Sequence, residues 1–162
     1  MRPLAAKTVA NIHDIAVIAM GQSRAPLSRI VELVPVERAL HGDALFSAPR
    51  ASDETLIAEI GKGDAFELFC HRFQTDQLLV LRGAIDLVVL QNRQLRRIPL
   101  REDEATWVCI PPGVPHAAIN RGRIPALLVN AVLRHGPSDP RDYEPHPVPA
   151  RFRSQWRRLA VA

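Results

Sequence analysis

The sequence predicts an all-β fold, a sandwich or barrel carrying one short helix at its C-terminal end. Short apolar, β-branched stretches recur from Ala16 to Arg134, turn residues separate them at close intervals, and no long segment of 3.6-residue period competes. At 162 residues the chain has the length of one domain with a sizeable core, and 47% apolar residues is not a disordered composition.

The elements follow in order. "AVIAM" (16–20) and "RIVELVPV" (29–36) read as early strands. Residues 21–52 are less regular, and "VERALHGDALF" (36–46) reads as a short helix or an irregular edge. "TLIAEI" (55–60), "AFELFCHRF" (65–73), "QLLVLR" (77–82), "AIDLVVL" (84–90), "QLRRIPL" (94–100), "TWVCIP" (106–111) and "ALLVNAVL" (126–133) continue the series. Between them stand "GKGD" (61–64), Gly83, "QNR" (91–93), "REDE" (101–104), "PPGVP" (111–115) and "NRGRIP" (120–125), all turn chemistry. The Pro-rich "HGPSDPRDYEPHPVPA" (135–150) cannot be a central strand. "RFRSQWRRLAVA" (151–162) then reads as a basic amphipathic helix that packs Trp156, Phe152 and Leu159 against a barrel or a second subunit and leaves its arginines in water.

Composition narrows the partners. No apolar run reaches the roughly 18 residues of a membrane span. Asn11, His13 and Asp14 break up the N-terminal apolar stretch before it has signal-peptide length, so a cytoplasmic protein is expected. Two cysteines, Cys70 and Cys109, imply no disulfide framework. The net charge is +4, and Lys7 and Lys62 are the only lysines. Arginine meets carboxylates and phosphates through a planar fork, which suits a small anionic partner, although solvated surface charge explains the same count. The terminal arginines alone are a thin basis for nucleic-acid binding.

Two stretches carry candidate chemistry. Along "AFELFCHRF", side chains alternate, so Glu67, Phe69, His71 and Phe73 share one face while Cys70 faces the other. In "WVCIPPGVPHAAIN", two prolines end a strand, Gly113 supplies a conformation closed to residues with a Cβ, and the turn points His116 back towards the sheet. A plain hairpin needs neither the prolines nor the histidine. The remaining histidines, His13, His41, His135 and His146, have no spacing partner that suggests a site.

These two stretches resemble the motifs of the cupin superfamily, the RmlC-like jelly-roll barrels. Pro111, Gly113, His116 and Asn120 fall at the spacing of the second cupin motif, with Ala105 where its opening glycine stands. In the first motif His71 matches the first histidine and Gly83 the closing glycine, Phe73 replaces the second histidine, and the acidic place falls on Asp76 or Gln77. The resemblance implies a single cupin domain over 1–162, a double-stranded β-helix. Its barrel core spans about 55–134, with N-terminal strands in 1–54 and a tail and helix in 135–162. It also implies a homodimer, as cupins commonly pair through N-terminal strands.

Within the superfamily the chain is similar, more weakly, to the dTDP-sugar 3,5-epimerases and 3,4-ketoisomerases. That similarity implies an isomerase or epimerase acting on a sugar or keto substrate, with no cofactor required. His71 is then the general base, because a neutral imidazole suits proton removal beside a carbonyl, and His116 is its partner or an oxyanion donor. Gln77, Phe73, Glu67, Asn120 and Tyr143 are the expected ligand-binding residues, with Tyr143 a candidate opposing acid if the tail folds over the barrel mouth. A non-catalytic ligand-binding or sensory cupin is the alternative. A metal-dependent oxygenase is the second, in which His71, His116 and Asp76 or Gln77 would hold Fe, Mn, Ni or Zn.

Overall fold

The computed structural model describes residues 29–160 apart from 64, 66 and 138, so the expected strand at 16–20 and His13 lie outside the described residues. Period-two alternation makes strands of most of the rest. They are β1 (Glu32–Pro35), β2 (Arg38–His41), β3 (Ala44–Ser47), β4 (Glu54–Ile60), β5 (Leu68–His71) and β6 (Gln74–Arg82). After these come β7 (Ala84–Gln91), β8 (Gln94–Arg101), β9 (Thr106–Ile110), β10 (His116–Ile119), β11 (Ala126–Arg134) and β12 (Tyr143–His146). A 3-10 turn (Ala150–Phe152) leads into helix α1 (Arg153–Ala160). The all-β expectation with a short C-terminal helix holds.

Two five-stranded antiparallel sheets face each other, in the orders β1-β9-β6-β11-β4 and β12-β5-β10-β7-β8. Leu78, Val80, Val108, Ile110 and Leu128 of the first sheet meet Ile85, Leu87, Val89, Ile98 and Leu100 of the second in one buried core. The segment expected to be a helix or irregular edge is instead the β2–β3 hairpin, turned at Gly42 with φ 60°. Glycine adopts that angle without strain, which favours a tight hairpin over a helix.

The middle of the second sheet is buried on both faces, which is why "AIDLVVL" reads as a nearly continuous apolar run. Its outward residues Leu68, Val88, Leu95, Ala117 and Ile119 are covered by Trp156 and Ala160, with Phe152 and Leu159 at the margin. The amphipathic helix therefore packs on its own barrel, the first of the two placements its pattern allows. Strand β8 is an edge, so Pro99 costs it no ladder bond on its free side.

Candidate functional site

Both histidines come from adjacent strands of the second sheet. His116 opens β10 and stands in register with Phe69 of β5, and His71 ends β5 on the same inward face as Phe69. The Pro-Gly turn fixes the pair together: Gly113, at φ 74°, donates its backbone N–H to the His71 carbonyl at 2.7 Å. Cys70 points to the opposite face and is buried, and that burial pushes its thiol pKa up, which rules it out as a ready nucleophile.

A carboxylate from the other sheet completes the group. Asp76 of β6 is buried, and its Oδ1 accepts hydrogen bonds from Gln74 Nε2 at 2.7 Å and Asn130 Nδ2 at 2.9 Å. Its Oδ2 lies 3.5 Å from His116 Nε2 and 3.6 Å from His71 Nε2. Burial disfavours the Asp76 anion, but the hydrogen bonds from His116 and Asn130, with the charges of both histidines, outweigh it and hold the carboxyl below its usual range. His116 Nδ1 meets the Val114 carbonyl at 2.9 Å. A carbonyl only accepts, so that nitrogen carries hydrogen and the other is turned to Asp76. Both nitrogens of His116 are thus engaged.

His71 has a second carboxylate on its far side. Asp142, just before β12, places Oδ2 3.4 Å from His71 Nδ1, close enough to pair yet outside hydrogen-bond geometry. Its Oδ1 is tied to the backbone N–H groups of Arg72 at 2.9 Å and Phe73 at 2.6 Å. Tyr143 follows, paired in register with His71. Its ring stacks on Phe69 at 5.0 Å and meets His71 edge-on at 5.9 Å. The tail thus lies alongside His71 and supplies a flank of the site. The side chain of His71 is 19% exposed against 5% for His116 and Asp76, so of these three it is the one that reaches solvent.

The other expected ligand-binding residues are placed differently. Gln77 faces away from the histidines, its amide donating to the Ala51 and Ala131 carbonyls at 2.9 and 2.8 Å and its carbonyl accepting from Arg50. Asn120 is buried in a turn, bonded to the carbonyls of Ile60 and Ile124 and to the Gly122 N–H. Phe73 sits between β5 and β6, 43% exposed and against Gly136. Glu67 is exposed ahead of β5. Asp142 was not among the sequence candidates. Its only signal was its place beside the single tyrosine in the tail.

Among the described residues, no group of three or more His, Cys, Asp or Glu side chains is arranged to hold a metal ion. Nor is any helix among them long and apolar enough to cross a membrane.

No protein-family description matches the chain, and no curated protein matches it in sequence. Solved structures do. A dTDP sugar isomerase from Desulfovibrio desulfuricans G20 is 19% identical with a TM-score of 0.60, over 76% of this chain and 88% of its own. The 3,4-ketoisomerase QdtA from Thermoanaerobacterium thermosaccharolyticum, in a complex with TDP-4-keto-6-deoxyglucose, is 17% identical with a TM-score of 0.56, over 72% of this chain and 88% of its own. A dTDP-4-dehydrorhamnose 3,5-epimerase from Sulfolobus tokodaii is 14% identical with a TM-score of 0.57, over 79% of this chain and 82% of its own. Such identities speak for the fold alone, and the chain has the fold of the RmlC-like cupins, a jelly-roll β-barrel.

Proposed function

We propose that this protein is a metal-independent isomerase or epimerase that moves a proton beside the ketone of a nucleotide-linked keto sugar. The observation that supports it is the setting of His71, a partly exposed imidazole between two carboxylates. Asp142 faces Nδ1, while Nε2 stands 3.6 Å from Asp76 Oδ2, beyond hydrogen-bond distance, and is the nitrogen we assign to the substrate. Proton removal from the carbon next to the ketone sends the bond's electron pair to the carbonyl oxygen as an enolate. The imidazolium formed then lies 3.4 Å from Asp142 and 3.6 Å from Asp76, where its new charge is stabilised. Return of a proton to the other face of the same carbon completes epimerisation; in isomerisation the enolate oxygen takes the proton of the neighbouring hydroxyl, whose oxygen becomes the new carbonyl as the former carbonyl carbon is protonated.

Tyr143, 50% exposed and edge-on to His71, takes the role of supplying that returning proton or bonding the enolate oxygen, and its nearness to the imidazole supports this. His116 acts behind the site, orienting Asp76. The structural neighbours named for dTDP and TDP sugars support this substrate class. An exposed apolar strip on the first sheet, with Ile57 and Leu81, supports the homodimer, for which light scattering should give twice the 18.0 kDa chain mass.

The test is solvent exchange. With TDP-4-keto-6-deoxyglucose in D2O, NMR should show deuterium entering beside the ketone, at a rate that falls about 10²–10⁴-fold in His71→Gln. Binding of the sugar without exchange in the wild type would favour the ligand-binding alternative instead.

A further inference from the structure

A histidine held between two carboxylates has a chemical problem, since both favour the imidazolium and an imidazolium is no base. The fold holds a cation against this. Arg134, the last residue of β11, places Nη1 3.5 Å from Asp142 Oδ2, the same oxygen that faces His71. That nitrogen also donates to Gln74 Oε1 at 2.7 Å, and Gln74 Nε2 in turn donates to Asp76 Oδ1 at 2.7 Å. One guanidinium therefore touches one flanking carboxylate directly and reaches the other through a single amide. Its other end is anchored outward, with Nη2 2.6 Å from Glu54 Oε2.

We propose that Arg134 is a positioning residue that divides the Asp142 carboxylate between itself and His71, so that this carboxylate does not bear on the imidazole alone. The role given to His71 rests on the isomerase reading; the electrostatic division does not. Among the described residues the titratable groups facing His71 are Asp76 from β6, Asp142 and Tyr143 at β12, and His116 from β10, and Arg134 is a cation that bears on both carboxylates. Glu54 competes for the guanidinium from the solvent side. Weakening Glu54 frees Arg134 for Asp142, and removing Arg134 gives Asp142 wholly to His71. The two changes push His71 in opposite directions.

The experiment is a titration of the His71 ring protons by NMR in the full-length protein. Arg134→Gln should raise the midpoint by about half to one pH unit, and Glu54→Gln should lower it by a smaller amount. Arg134→Lys keeps the charge and should stay within about 0.2 unit of wild type. If Arg134→Gln does not fold, the Glu54→Gln and Arg134→Lys titrations decide alone. An unchanged midpoint in Arg134→Gln, a shift of the opposite sign in either variant, or an Arg134→Lys midpoint moved as far as that of Arg134→Gln overturns the proposal. Turnover is read separately. The predicted midpoint shifts without any exchange of TDP-4-keto-6-deoxyglucose would leave the Arg134 assignment standing and remove the isomerase reading. Exchange with unmoved midpoints would do the reverse.

Discussion

The backbone N–H of Gly113 donates to the carbonyl of His71 at 2.7 Å, so the turn that presents one histidine also fixes the other. Gly113 does this at φ 74°, and a Cβ there would meet nothing within 4 Å. The cost of Gly113→Ala is therefore backbone strain alone, about 1–2 kcal/mol. Thermal unfolding should fall by roughly 3–6 °C at this chain length. Turnover should fall with it, since the strain acts on the bond to His71. Full activity in a destabilised Gly113→Ala protein would show that this bond does not position the base.

Ala105 makes the opposite case. It occupies φ 44°, where the related motif has glycine, while its carbonyl accepts from the Val36 N–H at 2.9 Å. Ala105→Gly should stabilise the protein by about 0.5–1 kcal/mol, relief of strain being partly offset by a freer unfolded chain. Denaturant midpoints check it, and a loss of stability would refute the strain.

Asp76 predicts a pH dependence. Its carboxyl is held below the ordinary carboxylate range in the folded state, so the unfolded chain binds the proton more readily. The stability it contributes is complete above the unfolded value and is lost as pH falls through the folded one. Asp76→Asn should cost about 1–3 kcal/mol at pH 5 and above. The gap from wild type should narrow steadily below about pH 4. Urea midpoints across pH 3–6 measure it, and a gap as wide at pH 3 as at pH 6 would contradict the assignment.

Gln77 separates support from chemistry. Replacing its buried amide with leucine strands the Ala51 and Ala131 carbonyls, a loss of about 2–3 kcal/mol or roughly 6–9 °C. Turnover per folded molecule should remain near wild type. A large drop in kcat for stable Gln77→Leu would return Gln77 to the site.

The strands, the inward face of His71 and the His116 turn were legible because each rests on local rules of alternation and backbone angle. The choice between Asp76 and Gln77 was not. Counting by twos from His71 puts Gln77 inward, but at Arg72 and Phe73 the chain leaves one sheet for the other, and the inward parity reverses. Asp142 was hidden for another reason. Its partner is 71 positions back, at the end of β5, the strand β12 pairs with, and no local pattern in a Pro-rich tail announces that pairing. The β2–β3 hairpin was missed because "LHGD" supports a turn without naming the strands around it.

Asp76 stands on one sheet and both histidines on the other, so the 3.5 Å and 3.6 Å separations span the interior of the barrel. The site is in effect a gauge of the spacing between two layers. Hydrostatic pressure, or the swelling of a loosened state, would alter the proton-sharing geometry before any strand unpaired. On the isomerase reading, proton transfer at His71 is thus coupled to the compressibility of the apolar core between the sheets.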